Sequence, residues 1–148
     1  MIRIIIAWVL LVGWPLNSVA AGGGDDDASS SLSDAKAAIE VGQYQRAVES
    51  LSSLTEREPS NPDVFNLLGY ALRQLGRLDE SLSQYQKALS LDPEHRGANE
   101  YLGELYLKQG RVDLAKARLE VLDRVCFFPC KEYEDLKLSI EQYQAVKK

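Results

Sequence analysis

The stretch that decides the fold runs from Asn61 to Pro93 and reads NPDVFNLLGYALRQLGRLDESLSQYQKALSLDP. Its first half places apolar and small side chains on one helical face, and its second half does the same after a short Gly76-Arg77 turn. Asn61 is a favourable N-cap, and the proline after it suits the first turn of a helix. The stretch therefore predicts two helices, at about 62–75 and 78–91, that fold against each other as a hairpin.

Three columns of residues recur at a spacing of 34 along the chain. They are Gly42, Gly76 and Gly110; Ala47, Ser81 and Ala115; and Leu51, Tyr85 and Leu119. A helical repeat of this length is typical of stacked helix pairs, each of which buries its apolar face only against its neighbours. Small residues let the two helices of a pair approach closely, and larger ones fill the space between pairs. The pattern predicts an all-α protein that holds a partner.

The repeated unit resembles the tetratricopeptide repeat family over about Ser31–Val125. The residues that carry the resemblance are Phe65, Leu68, Gly69, Leu72, Gly76, Ser81, Tyr85, Ala88 and Pro93 in the middle repeat, with Ala35, Ala38, Gly42, Ala47, Leu51, Leu54 and Pro59 before it and Leu102, Gly103, Tyr106, Gly110, Ala115, Leu119 and Leu122 after it. The position of Phe65 is taken by Ser31 and Asn99, and the closing proline becomes Phe127. We therefore expect a degenerate first helix in repeat one and an abnormal end to repeat three.

The resemblance implies a right-handed α-solenoid of about three helix-turn-helix repeats, at about 28–61, 62–95 and 96–129. After them, one helical face carries Tyr133, Leu136, Ile140 and Tyr143. A terminal repeat needs a cap with a polar outer face, so we expect residues 131–147 to form a capping helix. Seven helices are expected within a repeat domain over 31–148, and no stretch has the pattern of a strand.

The first 21 residues differ from the rest of the chain. A short positive start, Met1-Ile2-Arg3, precedes the apolar run Ile4–Trp14 and the small-residue segment Pro15–Ala21. This order is typical of a secretory signal peptide over 1–21, cleaved near Ala21 or Gly22. The alternative is an uncleaved inner-membrane anchor, although the run is shorter than the roughly 20 residues that a transmembrane helix needs.

The whole chain of 148 residues has 45% hydrophobic and 26% charged residues, which is the composition of a soluble globular protein. The net charge is -5 and no basic cluster occurs, so nucleic acid is not an expected partner. Residues 22–30, built of Gly, Asp, Ser and Ala, predict a flexible linker. We expect the exported chain to reside in the bacterial periplasm, with no membrane association after signal removal.

Cys126 and Cys130 lie between the third repeat and the capping helix. In an exported chain we expect them to form a structural disulfide, because Pro129 interrupts the helix and lets the two Cβ atoms approach. The alternative is a thiol-disulfide or metal-handling role, since close thiols at a helix start can include a reactive thiolate. Three residues separate the pair where the thioredoxin-like motif has two, and no histidine lies nearby as a further metal ligand.

The chain carries no pattern of an enzyme or of a cofactor site. His95 is the only histidine and lies beside Glu94 and Asp92, without a nucleophile pattern. Phosphate-binding glycine loops and metal-binding histidine pairs are missing as well. We predict no catalytic residue, no metal site and no cofactor, and we interpret His95 as a surface residue near a helix start.

The resemblance implies that the first helix of each repeat lines a concave groove that binds the partner. The predicted groove residues, taken as outward positions of these helices, are Lys36, Asn66, Tyr70, Arg73, Gln74, Glu100, Glu104, Leu107 and Lys108. Tyr70 and Arg73 lie three apart on one helix face, and an aromatic residue beside an arginine is a common interface anchor. We therefore predict an exported scaffold that binds a protein or peptide in this groove.

Some members of the family grip the C-terminal carboxylate of a partner with basic and Asn residues. The matching positions here are Leu32, Lys36, Leu67, Gly97 and Tyr101. Only Lys36 is basic, so a carboxylate grip is not expected. The sequence leaves the oligomeric state open, including self-association through the end surfaces of the solenoid.

Overall fold

The structure is a computed structural model that describes residues 27–128 and 130–146, with side chains from Leu32 onward. It contains α1 (Asp27–Glu40), α2 (Tyr44–Arg57), α3 (Pro62–Gln74), α4 (Leu78–Leu91), α5 (Arg96–Lys108), α6 (Val112–Val125) and α7 (Lys131–Val146). No strand occurs among these described residues. The prediction of an all-α chain with three helical hairpins and a further C-terminal helix is confirmed.

The helix α1 begins at Asp27, inside the segment 22–30 that the sequence predicts as a linker. Aspartate and serine are favourable at a helix start, where they complement the free N–H groups and the positive end of the helix dipole. The polar composition that predicts flexibility therefore also suits a first helical turn. The rest of the predicted linker and the whole predicted signal peptide lie outside the described residues.

Each hairpin reverses at a glycine with a positive φ angle. The three angles are +74° at Gly42, +76° at Gly76 and +75° at Gly110. The residue after each glycine donates its N–H to a carbonyl five positions earlier: Gln43 to Ala38 at 2.8 Å, Arg77 to Leu72 at 3.0 Å and Arg111 to Tyr106 at 2.8 Å. This is the Schellman arrangement that ends a helix. A side chain with a Cβ is strained at such angles, which explains the recurring glycine.

Within the middle hairpin, α3 and α4 approach closely at Gly69. A Cβ at this position would lie 2.7 Å from Cε1 of Tyr85, whose side chain is fully buried. The Ser81 hydroxyl, also buried, donates a hydrogen bond of 2.7 Å to the carbonyl oxygen of Gly69. The small-residue columns are therefore sites of contact between helices, as the repeat pattern predicts.

The third repeat meets the capping helix in a similar way. A Cβ at Gly103 would lie 2.6 Å from Cδ2 of Leu136, which α7 inserts between the helices. The core cluster at this end consists of Leu107, Ala115, Leu122, Leu136 and Ile140. Tyr133 and Tyr143 pack against it, so the predicted apolar face of α7 is confirmed. Among the described residues, no helix is long and apolar enough to cross a membrane.

The seven helices form two layers. The first helices of successive repeats contact one another, α1 with α3 and α3 with α5, and α7 continues the series by packing on α5. The second helices α2, α4 and α6 make no such contacts with each other. Closer approach on one side of a stack of hairpins places that side on the inside of the arc. The inner face is therefore built from α1, α3, α5 and α7.

Candidate functional site

Three half-buried tyrosines lie in a row across the first two hairpins and the start of the third. The ring centroids of Tyr44 and Tyr70 are 6.4 Å apart, and those of Tyr70 and Tyr101 are 5.0 Å apart. Tyr70 and Tyr101 belong to inner-face helices, and Tyr44 begins α2. Such offset and edge arrangements are favourable for aromatic rings. We call these three residues the tyrosine row.

Arg73 lies beneath this row. Its guanidinium carbon is 5.4 Å from the ring centroid of Tyr70 and 5.5 Å from that of Tyr101, within cation–π range. Its Nη1 also lies 2.7 Å from Oε2 of Glu104 on α5. Only 8% of Arg73 is exposed, and its Nε finds no hydrogen-bond partner among the described residues. Arg73 therefore joins α3 to α5 and holds the tyrosine rings in place.

Glu100 is a buried carboxylate on the α5 side that faces α7. Its residue is 7% exposed. Burial, together with the nearby carboxylates of Glu104, Asp135 and Glu132, raises the pKa of Glu100 to about 7, against the opposing effect of Lys131. Near neutral pH this side chain is therefore present in both protonated and ionised forms.

An open cleft of about 390 Å³ lies at the starts of α3, α5 and α7, and Glu100 follows its lining residues Arg96 and Gly97 by one helical turn. Its lining residues are Asp63, Asp92, Glu94, His95, Arg96, Gly97 and Glu132. Asn66 borders it, since a Cβ at Gly97 would lie 3.1 Å from Nδ2 of Asn66. The Oδ1 atom of Asn66 is buried and has no hydrogen-bond partner among the described residues. The cleft is therefore acidic and adjoins an unpaired acceptor.

His95 caps α5 and ties it to α3. Its Nδ1 accepts a 3.0 Å hydrogen bond from the N–H of Ala98, so its Nε2 carries the proton and donates to Oδ1 of Asp63, also at 3.0 Å. Asn61 caps α3 in a similar way by accepting from the N–H of Asp63. Both ring nitrogens of the histidine are thus used in local structure. The interpretation of His95 as a residue near a helix start is confirmed, but the expected surface position is wrong, because its side chain is only 12% exposed.

The corner between α6 and α7 is closed by a disulfide between Cys126 and Cys130, with a Cα–Cα distance of 5.8 Å. Phe127 and Phe128 lie on this loop and are 92% and 75% exposed. Their rings meet edge to face, with the ring centroids 5.1 Å apart. The redox or metal-handling alternative for this pair stays a prediction. The described residues contain no group of three or more His, Cys, Asp or Glu side chains placed to hold a metal ion.

Comparison with known proteins gives the family. Two family models described as tetratricopeptide repeat match residues 32–95 and 72–125. Together they span 32–125, which is well over half of the chain. The chain belongs to the tetratricopeptide repeat family.

Curated relatives match over part of the chain. The mouse FK506-binding protein-like protein is 32% identical over 78 residues, which are 53% of this chain and 22% of that protein. Anaphase-promoting complex subunit 3 of Dictyostelium discoideum is 40% identical over 53 residues, which are 36% of this chain and 6% of that protein. The chain spans about a fifth of the length of the FK506-binding protein-like relatives.

Solved tetratricopeptide structures share the fold. The Yersinia enterocolitica type III secretion chaperone SycD, in complex with a peptide of the translocator YopD, matches with a TM-score of 0.72 at 17% identity, over 84% of this chain and 98% of that one. The first tetratricopeptide domain of Spaghetti (RPAP3), bound to an HSP90 peptide, matches with a TM-score of 0.70 at 17% identity, over 85% and 99%.

Several residues of the predicted groove are less exposed than the sequence-based prediction expected. Lys36, Gln74 and Lys108 are exposed and Tyr70 is half-buried. The expectation of outward, solvent-facing positions is wrong for Asn66, Arg73, Glu100 and Leu107, which are all buried. The reason is that the next inner helix packs over each of them, α5 over α3 and α7 over α5. Glu104 is partly covered because it pairs with Arg73.

Three residues of this site, Tyr44, Glu132 and Asp135, were not predicted from the sequence. Tyr44 lies on a second helix, whereas the predicted groove was drawn from first helices alone. Glu132 and Asp135 lie on α7, which the sequence identified only as a cap. The acidic residues in the first turns of α7 are the sequence signal that could have identified Glu132 and Asp135 as part of the site. The position of Tyr44 beside Tyr70 depends on how two hairpins stack.

Proposed function

We propose that this protein is an exported tetratricopeptide scaffold that holds an extended segment of a partner protein along its inner face. The observation that carries this proposal is the tyrosine row, with Arg73 held against two of its rings. Tyrosine anchors give a large contact area and lose little conformational entropy on binding, and arginine orients them. The peptide complexes of SycD and of Spaghetti support the proposal, since their folds match this one.

The first test uses a photoreactive phenylalanine analogue in place of Tyr70, in the cells that produce the protein. We expect irradiation to crosslink a partner at this position, because half-buried Tyr70 lies at the centre of the row. Mass spectrometry of the crosslinked product then identifies the partner segment. The Tyr70→Ala variant is expected to retain that partner about tenfold less well.

The matched control places the same analogue at Gln86, an exposed position on α4 in the outer layer. No crosslink to that partner is expected from Gln86. Equal crosslinking from both positions, or full retention by Tyr70→Ala with an unchanged circular dichroism spectrum, would refute binding along the tyrosine row.

Export is the second part of the proposal. It rests on the positive start, apolar run and small-residue segment within residues 1–21. We expect the mature chain to begin near Ala21 or Gly22 and to be recovered from the periplasmic fraction of a bacterial cell. N-terminal sequencing of the purified chain and cell fractionation check this. A chain that keeps Met1 and sediments with the inner membrane would support the anchored alternative.

A further inference from the structure

Glu100 has no partner among the described residues. None of the hydrogen bonds or ion pairs among the described residues involves its carboxylate, and only 7% of the residue is exposed. The cation that acts on Glu100, the Lys131 ammonium, is already bonded to the carboxylate of Asp135. A buried carboxylate without a counter-charge destabilises a fold, and such groups concentrate at functional sites.

The surroundings of Glu100 carry an excess of negative charge. Its own helix contributes Glu104 and the phenol of Tyr101, and α7 contributes Lys131, Glu132 and Asp135. The charge of Glu104 is paired with Arg73 of α3. The adjoining cleft adds three further carboxylates, from Asp63, Asp92 and Glu94, against the guanidinium of Arg96. A positively charged group would therefore be stabilised here by several carboxylates at once.

A second observation points to a hydrogen-bond donor as the missing group. Asn66 occupies on α3 the position that Glu100 occupies on α5, 34 residues later. Its Oδ1 is buried and unpaired, and its amide borders the cleft at Gly97. A buried acceptor without a partner is uncommon in folded proteins. Neighbouring repeats thus present, at equivalent positions, the unpaired Oδ1 of Asn66 and the carboxylate of Glu100.

We infer that Glu100 and the cleft beside it receive a lysine or arginine side chain of the bound partner segment. The inference rests on the proposed function, because the cation belongs to the segment that the tyrosine row holds. An ammonium or guanidinium group carries only donors and can bond both to the Glu100 carboxylate and to Oδ1 of Asn66. An anionic group is disfavoured, since Asp63, Glu94 and Glu132 already lie at the helix starts that would attract it.

Selection of a random twelve-residue peptide library against the purified protein at pH 8 tests this inference. We expect the enriched peptides to share one lysine or arginine and to bind more weakly when Tyr70 is alanine. Glu100→Gln should weaken an enriched peptide about tenfold or more, because it removes the charge and keeps the shape. Glu120→Gln, an exposed change of equal charge on α6, should leave the affinity unchanged.

A double-mutant cycle then assigns the contact. In the enriched peptide, arginine is replaced by citrulline or lysine by norleucine, and both peptides are measured against wild type and Glu100→Gln. The neutral peptide should bind the wild type more weakly than the basic peptide does, whereas the two peptides should bind Glu100→Gln with nearly equal affinity. Equal losses for both proteins would show that the cation binds elsewhere and would overturn the inference.

The pH dependence provides an independent readout. Because the pKa of Glu100 is raised to about 7, its carboxylate is ionised at pH 8 and protonated at pH 5.5. The affinity of wild type for the basic peptide should therefore fall over this interval, and that of Glu100→Gln should stay nearly constant. Enriched peptides without a shared basic residue, but dependent on Tyr70, would overturn the inference and leave the proposed function standing. Peptides that bind independently of Tyr70 would contradict both.

Discussion

Gly69→Leu is expected to unfold the middle repeat and to lower the free energy of unfolding by about 3 kcal/mol. Even the first added atom, a Cβ, would lie 2.7 Å from Cε1 and 2.8 Å from Cδ1 of Tyr85. The tyrosine ring is fully buried, so it has no free space into which to move. The gain in helix propensity from replacing glycine is about 1 kcal/mol and does not offset this overlap.

Thermal and urea unfolding followed by circular dichroism measure the effect. Gly69→Ala should already be destabilised, and Gly69→Ala combined with Tyr85→Leu should be less destabilised than the sum of the two single changes, because the smaller side chain removes the overlap. Ser83→Leu adds a leucine to the exposed face of α4 and should change stability little. A Gly69→Leu protein with the wild-type melting curve would show that α3 and α4 do not meet at this glycine.

Glu100→Gln is expected to raise the free energy of unfolding at pH 8 by up to about 3 kcal/mol and to leave it unchanged at pH 4. In the folded protein the pKa of Glu100 is raised to about 7, whereas a glutamate in an unfolded chain titrates near 4.3. The folded state thus holds the proton more tightly. The favourable contribution of the protonated carboxyl is complete below the unfolded pKa and is lost as the pH rises through about 7.

Glutamine stays neutral at every pH and has nearly the same shape as glutamate. The difference in the free energy of unfolding between variant and wild type should therefore increase from pH 4 to pH 8. Urea unfolding at a series of pH values measures this difference, with Glu120→Gln as the exposed control. A difference that is constant with pH would show that Glu100 is not buried unpaired. Taken with the inference above, the expected result identifies a residue that lowers stability and strengthens partner binding, a common relation at functional sites.

The fold could be predicted from the sequence to the level of individual turns. The 34-residue spacing of Gly42, Gly76 and Gly110 marks the three positions with positive φ, and the small residues Gly69 and Ser81 mark the close approach of α3 and α4. These requirements are local, because a backbone angle or the space between two adjacent helices restricts the residue type directly. The start of α1 was less predictable, since Asp and Ser suit both a linker and a first helical turn.

The candidate site could be predicted only in part. Tyr70 was identified as the centre of the inner face, and it lies in the tyrosine row. Arg73 was expected beside it on an exposed surface, but it is buried and paired with Glu104. Helical spacing indicates which side chains share a face and says nothing about which other helix covers that face.

The sequence by itself determined the all-α repeat architecture, the hairpin turns and the capping helix, because each depends on residues close together in the chain and recurs in every unit. Only the tertiary structure decided that Glu100 is buried without a partner, that Asn66 keeps an unpaired acceptor, and that Tyr44 joins the row. Those properties arise where α2 packs on α3, α3 on α5 and α5 on α7. The charge and exposure of such a site depend on side chains that lie tens of residues apart, and their proximity is a consequence of stacking.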